Sequence, residues 1–206
     1  HPARLLAPGP PGQAARAFDE YVSDPARPVP YTDKIGTVMM PEYMSADQRF
    51  AARRPDVIVF STESLREGIT LAGPVEAELY VKVPTGDADF VVKLIDVFPE
   101  DFIYDSAYCC APDNKTAVMG GYQMLVRGEI MRGRYRNSFE NPQPFDPGKI
   151  ERVKFILPDV AHTFMKGHRI MVQVQSSWFP LFDANPQKFV DVYHCTEKDF
   201  TPARIE

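Results

Sequence analysis

The chain has 206 residues, of which 44% are hydrophobic and 25% are charged, a composition typical of a globular protein. Its net charge of −5, with no cluster of lysines and arginines, argues against a nucleic-acid partner. No apolar run approaches the roughly 18 residues that a membrane-spanning helix needs, so no membrane partner is expected.

Prolines and glycines are concentrated in residues 1–31. A stretch so rich in proline cannot keep a continuous ladder of backbone hydrogen bonds, because proline has no N–H to donate. We therefore expect residues 1–31 to form an extended arm or interdomain linker and residues 32–206 to form the folded domain. The first residue is His1 rather than a methionine, so we expect the chain to be processed or cut from something longer.

Helix-capping residues and hydrophobic periodicity predict one short helix and several β-strands. Ser45 and Gln48 form a capping-box pattern that predicts one short helix over 46–52. The segment 75–83, VEAELYVKV, alternates apolar and polar residues as a half-buried strand does. Further strands are predicted at 56–60, 89–98, 123–132 with a bulge at Gly128, 150–157, 168–175 and 189–195. The run 89–98 is apolar on both faces, which suits a central strand of a sandwich. Strands separated by turn residues predict an all-β fold, an antiparallel β-sandwich and most simply a jelly roll.

The cysteines and histidines show no pattern of a disulfide framework or a metal site. Cys109 and Cys110 are neighbours and Cys195 stands alone, and no pair of residues has metal-ligand spacing. Neither a metal nor another cofactor is therefore expected. Sparse cysteine favours a reducing compartment such as the cytoplasm, although an exported protein without disulfides fits the same pattern.

The segment 176–187, SSWFPLFDANPQ, is the most distinctive part of the chain, and we call it the aromatic loop. It places Trp178, Phe179 and Phe182 around Pro180, and Asp183 then begins a turn. Three interpretations are open: an interface with another domain, packing in the core, or a platform on which a sugar stacks. Interface or core is favoured, because proline and leucine add nothing useful for sugar binding.

No catalytic residue is expected in this chain. A serine nucleophile on a strained turn has the pattern G-x-S-x-G, which does not occur here. Asp87 and Asp89 could form the carboxylate pair of a glycosidase, which needs a separation of about 5 to 10 Å. A polar turn that enters a strand is the favoured interpretation of these two residues.

Several long blocks of the sequence resemble one known family. They are EYVSDPARPVPY (20–31), EYMSADQRFAARRPDVIVFSTESL (42–65), GDADFVVKLIDVFPED (86–101), GYQMLVRGEIMRGRYRNSFENPQPF (121–145) and LPDVAHTFMKGHRIMVQVQSSWFPLFDANPQ (157–187). These blocks are similar to the C-terminal domain of the Xaa-Pro dipeptidyl-peptidase / CocE-NonD hydrolases. The resemblance implies a jelly roll of the galactose-binding-domain-like type that packs on an α/β-hydrolase domain carrying a Ser-Asp-His triad.

The resemblance implies a non-catalytic domain of a serine hydrolase that cleaves esters or amides. Such a domain shapes the substrate cleft and makes domain and subunit contacts, while the rest of the protein binds the small ester, amide or peptide. The cleft or interface candidates in this sequence are Trp178, Phe179, Phe182 and Asp183. Separated from its partner domain, such a domain is expected to expose apolar surface and to self-associate as a homo-oligomer. The alternative is an autonomous carbohydrate- or ligand-binding module that uses the aromatic loop.

Overall fold

The computed structural model describes residues 4–5, 18–34, 36, 38–104 and 117–206, and of residues 4, 5, 104, 117 and 118 only the backbone. Its strands are β1 (Arg4–Leu5), β2 (Tyr21–Ser23), β3 (Ile58–Ser61), β4 (Ile69–Lys82), β5 (Asp89–Val97), β6 (Ile103–Tyr104), β7 (Ala117–Val118), β8 (Gln123–Arg132), β9 (Ile150–Phe164), β10 (Arg169–Gln175) and β11 (Ala203–Ile205). One short α-helix, α1, spans Arg49–Ala52, and 3-10 helices span Pro41–Met44, Gly133–Tyr135 and Glu197–Asp199. Within the described ranges, no helix has the length and hydropathy needed to cross a membrane.

Two β layers form the body of the fold. A five-stranded sheet has the order β1-β3-β10-β5-β8, in which β1 runs parallel to β3 and the other neighbours are antiparallel. Opposite it, β4 and β9 form a long antiparallel ribbon whose pairing runs from Ile69 with Phe164 to Lys82 with Ile150. This architecture confirms the predicted antiparallel β-sandwich, and the galactose-binding-domain-like type stays a prediction.

Strand β5 shows why the two layers stack. Phe90 and Val92 on one face share a hydrophobic cluster with Val153 and Phe155 of the ribbon. Val91, on the opposite face, packs with Tyr31 and Trp178. Because successive residues of a strand point to opposite faces, a strand buried on both sides reads as a nearly continuous apolar run. The central position predicted for this segment is confirmed by its burial on both faces.

The second face of the five-stranded sheet is covered by the segment that precedes β3. Val29 and Ala51 pack there against Val59, Ile95 and Met171. The described parts of the proline-rich arm, residues 4–5 and 18–31, thus lie on the domain: β1 pairs with β3, β2 pairs with β11, and Val29 and Tyr31 are buried. Its assignment as an interdomain linker stays a prediction.

The helix begins later than the capping box predicted. Gln48 is its N-cap and makes no capping hydrogen bond with its side chain. Ser45 instead follows the 3-10 helix Pro41–Met44, where its Oγ donates to the carbonyl of Glu42. The side chain of Gln48 is buried and donates to the carbonyl of Ala46, which removes it from the predicted reciprocal cap.

Two predicted details of the strands are wrong. The register between β5 and β8 shifts between Leu94 and Ile95, so the extra residue on β8 is Val126 rather than Gly128. The segment 189–195 forms turns instead of a strand. Its backbone bonds locally, because the amides of Tyr193 and His194 donate to Asp191. Cys109 and Cys110 lie outside the described residues, and Cys195 is a free thiol.

Candidate functional site

The aromatic loop leaves β10 and crosses the outer face of β5, the face turned away from the ribbon. There Trp178 is only 5% exposed and packs with Tyr31 and Val91. Its ring meets Tyr43 edge-on at 5.9 Å and stacks on Phe182 at 6.0 Å between centroids. Trp178 therefore packs in the core of its own domain, and its buried ring is not presented for stacking on a sugar.

The other three candidates lie at the surface. Phe179 and Phe182 are 39% and 37% exposed, and Asp183 is exposed as well. The two phenylalanines and four apolar neighbours form what we call the apolar patch, which consists of Val38, Met39, Phe179, Pro180, Leu181 and Phe182. Val38, Met39, Pro180 and Leu181 line a shallow groove of about 230 Å³, which shows that the two segments adjoin. The sequence analysis did not single out Val38 and Met39.

A buried polar cluster, which we call the loop anchor, fixes the aromatic loop to β5 and β8. It consists of Asp87, Asp89, Arg132, Arg134 and Asn185. Asn185 Nδ2 donates to Asp87 Oδ2 at 3.1 Å and to Asp89 Oδ1 at 2.7 Å. Arg134 Nε donates to Asp87 Oδ2 at 2.6 Å, and Arg132 donates to both oxygens of Asp89 at 3.2 and 3.3 Å.

The two arginines also bind backbone carbonyls of the aromatic loop and of the segment that follows it. Arg132 donates to the carbonyl of Asp183, while Arg134 donates to the carbonyls of Lys188 and Val190. Arginine suits this task, since its planar guanidinium presents several donors in a fixed geometry. The loop anchor therefore determines where the exposed end of the aromatic loop stands.

The position of Asp87 and Asp89 does not suit acid–base catalysis. Both carboxylates are buried and engaged by an arginine and by Asn185. Burial raises the pKa of Asp89 to about 6, against the opposing effects of Arg132 and Asn185. A glycosidase acid must reach the substrate, and these groups face the protein interior. Their role in the structure is to hold the loop.

Lys93 lies on the same face of β5, beneath Trp178, and is fully buried. Its Nζ donates to Gln48 Oε1 at 3.2 Å and stands 5.1 Å from the centroid of the Trp178 ring. Burial lowers the pKa of Lys93 to about 7, because the charged form is poorly solvated there. The sequence analysis treated this residue as part of an apolar run.

A second polar cluster joins the two β layers far from the aromatic loop. Asp96 on β5 is bound by His162 Nε2 at 2.9 Å and by His168 Nδ1 at 2.8 Å. In the part of the chain that the structure describes, no three His, Cys, Asp or Glu side chains are placed to hold a metal ion. The cluster therefore links the five-stranded sheet to the β4–β9 ribbon through hydrogen bonds.

Four serines at or near strand ends have hydrogen-bond partners within the domain. Ser61 and Ser64 donate to the carbonyls of Thr62 and Gly167. Ser176 Oγ lies 2.6 Å from the hydroxyl of Tyr21, and Ser177 Oγ accepts from the amide of Val29. Among the described residues, the hydrogen bonds of these four hydroxyls go to Thr62, Gly167, Tyr21 and Val29 and not to a histidine.

Gly128 gives a direct test of how tightly Trp178 is packed. A Cβ added at Gly128 would stand 2.8 Å from Trp178 Cη2, so Gly128→Ala must displace the indole ring. We expect this substitution to lower the free energy of unfolding by about 1–3 kcal/mol and to shift the Trp178 fluorescence. Chemical denaturation monitored by fluorescence measures both. Gly68→Ala, whose added Cβ would meet nothing closer than 3.5 Å, should change neither.

Comparison with known proteins places the chain in a family. Residues 8–204 match the family described as the X-Pro dipeptidyl-peptidase C-terminal non-catalytic domain. Cocaine esterase of Rhodococcus sp. (strain MB1 Bresler) is 36% identical over 169 residues, which cover 81% of this chain and 26% of that protein.

Solved structures give the same result. An α-amino acid ester hydrolase has 41% identity and a TM-score of 0.86 over 98% of this chain and 32% of its own. An aminopeptidase from a marine sediment archaeon, Thaumarchaeota archaeon, has 44% identity and a TM-score of 0.82 over 93% and 31% of the two chains. The chain thus spans about a quarter to a third of the length of these relatives. It belongs to the X-Pro dipeptidyl-peptidase C-terminal non-catalytic domain family, as its resemblance to the CocE/NonD hydrolases predicted.

Proposed function

We propose that this domain completes a serine hydrolase of esters or amides, in which it packs against an α/β-hydrolase domain and closes one side of the substrate cleft. The observation that carries the proposal is the match of almost the whole chain to a non-catalytic domain family. Two of the relatives are named for ester hydrolysis and one for peptide hydrolysis, and each is much longer than this chain. The absence of G-x-S-x-G from the 206 residues agrees with a nucleophile located elsewhere.

The apolar patch is our candidate for the contact with the hydrolase domain. It combines aromatic and methionine side chains, which are enriched at the centres of protein interfaces. Arg132 and Asn185 hold the loop behind it, so the patch is presented by a fixed backbone. A preorganised surface loses less conformational entropy on docking than a mobile one does.

We further propose that residues 1–31 connect this domain to the hydrolase domain and that the same surface supports subunit contacts. The end of that segment, at Pro30 and Tyr31, lies next to the patch. Pro30 forms a bridge with Phe179, and the amide of Tyr31 donates to the carbonyl of Phe179. Because the connecting segment ends beside the apolar patch, little extra chain is needed to bring the patch to the hydrolase domain.

The isolated chain should not hydrolyse a nitrophenyl ester or an amino-acid ester. Turnover by the purified 206-residue chain that is blocked by a serine-directed reagent would reject the non-catalytic role.

The docking surface can be tested in the full-length protein that carries this domain. Phe182→Glu is expected to lower kcat/KM by about tenfold or more, because an interfacial aromatic anchor is worth roughly 2 kcal/mol and a buried carboxylate opposes contact. Ile156→Glu, on an exposed residue of β9, is the matched control and should leave kcat/KM unchanged. Equal kcat/KM values for the two variants and the unaltered protein would reject the patch as the docking surface.

A further inference from the structure

Strand β8 ends the five-stranded sheet, and among the described residues no strand pairs with its outer edge. The amide of Gly133 donates to the carbonyl of Ala88, and in an antiparallel pair such bonded positions recur at every second residue. Counted back from Gly133 along the register of β5 and β8, Ile130 turns its amide away from β5. A row of outward backbone groups is a place where a strand of another molecule can add.

The start of this edge is covered by the segment that leads into α1. The amide of Gln48 donates to the carbonyl of Gln123 at 3.0 Å, and the amide of Gln123 donates to Asp47 Oδ1 at 3.3 Å. These two bonds occupy both backbone groups of Gln123. Farther along, the edge borders a groove of about 880 Å³ between β8 and β9, which Glu129 and Ile130 help to line. An added strand would have to enter through this groove.

Two side chains of β8 itself bind the backbone at the groove. Ile130 donates its amide to Glu129 Oε1 at 2.8 Å, and Arg127 Nη1 donates to the carbonyl of Val126 at 3.0 Å. Arg127 Nε also reaches β9, where it donates to the carbonyl of Asp159 at 2.8 Å. Glu129 therefore takes the hydrogen bond that an added strand would make with Ile130, and Arg127 spans the gap between the two layers.

Arg127 and Glu129 lie on the face of the sheet that otherwise forms the core. They stand opposite Leu94 and Val92 of β5, whose side chains pack between the two layers. Directly opposite residues of neighbouring strands share a face, so both charges are directed toward the β4–β9 ribbon. A charge that points inward on an edge strand opposes pairing with another chain, because the added strand would help to bury it.

We propose that Arg127 and Glu129 close the outer edge of β8 to strand addition, and that without them this edge pairs with β8 of a second copy of the chain. A second copy fits because an antiparallel edge can pair with itself about a two-fold axis, which satisfies the same outward groups on both chains. The proposal concerns the domain itself and is independent of the docking function proposed above.

The double substitution Arg127→Val and Glu129→Val tests the proposal in the purified 206-residue chain. It removes one positive and one negative charge, so the net charge stays at −5. In dilute solution the Ile130 amide should exchange its hydrogen about threefold to tenfold faster than in the unaltered chain, the equivalent of one ordinary hydrogen bond. At high protein concentration the same amide should become protected, because β8 of a second copy then accepts from it. Hydrogen exchange followed by NMR at both concentrations measures this, and sedimentation velocity should show the dimer or larger assemblies.

Glu140→Val combined with Lys149→Val is the matched control, since it removes the same two charges from exposed residues between β8 and β9. In this control and in the unaltered chain, exchange of the Ile130 amide should not depend on protein concentration. Circular dichroism shows whether each variant is folded. If the double variant of β8 fails to fold, Glu129→Val alone, which keeps the bond from Arg127 to Asp159, decides the matter by the same measurement.

Exchange of the Ile130 amide that is independent of protein concentration in the folded β8 variant would overturn the proposal. Equal association of the β8 variant and the control variant would do so as well. Association through the apolar patch leaves the Ile130 amide unprotected, so the measurement separates the two surfaces. Phe182→Glu without effect on hydrolysis would reject the docking surface and leave the closed edge of β8 standing.

Discussion

Arg134→Met is expected to lower the free energy of unfolding by about 3–5 kcal/mol, the usual cost of removing one partner of a buried ion pair. Asp87 is fully buried, and Arg134 supplies its ionic partner at 2.6 Å. Methionine fills similar space but leaves the carboxylate charge uncompensated. It also frees the carbonyls of Lys188 and Val190, so the segment after the aromatic loop loses its attachment.

Urea denaturation followed by circular dichroism measures this loss. Arg204→Met is the matched control, since Arg204 forms an exposed pair with Glu20 that is worth about 0–1 kcal/mol. Arg134→Lys should lower the free energy of unfolding by an amount between those of Arg134→Met and Arg204→Met, because lysine keeps the charge and lacks the planar set of donors. A loss below about 1 kcal/mol in Arg134→Met would contradict the role of Arg134 as the partner that makes burial of Asp87 tolerable.

Lys93→Met is expected to stabilise the protein by about 1–3 kcal/mol at pH 6, because it removes a buried charge that has no ionic partner. The gain is limited by Gln48, whose amide oxygen loses its donor. Methionine keeps an unbranched side chain of similar length beneath Trp178, so the packing of the ring is preserved.

The same substitution should flatten the dependence of stability on pH. The pKa of Lys93 is about 7 in the folded protein and about 10.4 in an unfolded chain. Between these values the unfolded chain binds more protons, so stability rises with pH by up to about 1.4 kcal/mol per pH unit. Denaturation curves between about pH 7 and about pH 10 should show this rise in the unaltered protein and in Lys166→Met, on an exposed turn, but not in Lys93→Met. Parallel pH profiles for all three proteins would contradict the burial of a titrating lysine.

The strands were predictable because burial repeats along them with a simple period. The segment 123–132 was located to the residue, and the apolar run from Asp89 was correctly placed in the centre of the sheet. The segment 189–195 shows the limit of this reasoning. Its apolar residues are typical of a strand, yet Asp191 accepts hydrogen bonds from the amides of Tyr193 and His194, and the chain turns there.

The loop anchor could not be predicted from the sequence, because its members are distant in the chain. Asp89 and Asn185 are 96 residues apart, and Asp87 and Arg134 are 47 apart. Each residue taken alone has the character of a polar surface or turn residue. Asp87 and Asp89 were recognised as a polar turn that enters a strand, but the sequence pattern does not reveal whether their side of the segment meets solvent or another segment.

The aromatic loop was recognised as a covered surface, and its division into two parts emerged only in the fold. Trp178 faces its own domain, while Phe179 and Phe182 keep an exposed side. Adjacent positions in a loop have no fixed period that would assign their directions. The position of Val91 and Lys93 beneath the loop is what selects Trp178 as the buried ring.

The pairing of β2 with β11 has a mechanical consequence. Tyr21 lies opposite Ile205, so the start of one strand and the end of the other stand side by side. A force that pulls residues 20 and 206 apart would therefore unzip this ribbon one residue pair at a time rather than shear it. Glu206 is also tied to Lys82 of β4 through both backbone groups and a salt bridge. The strand that yields first under such a load is therefore β2, while the two β layers stay intact.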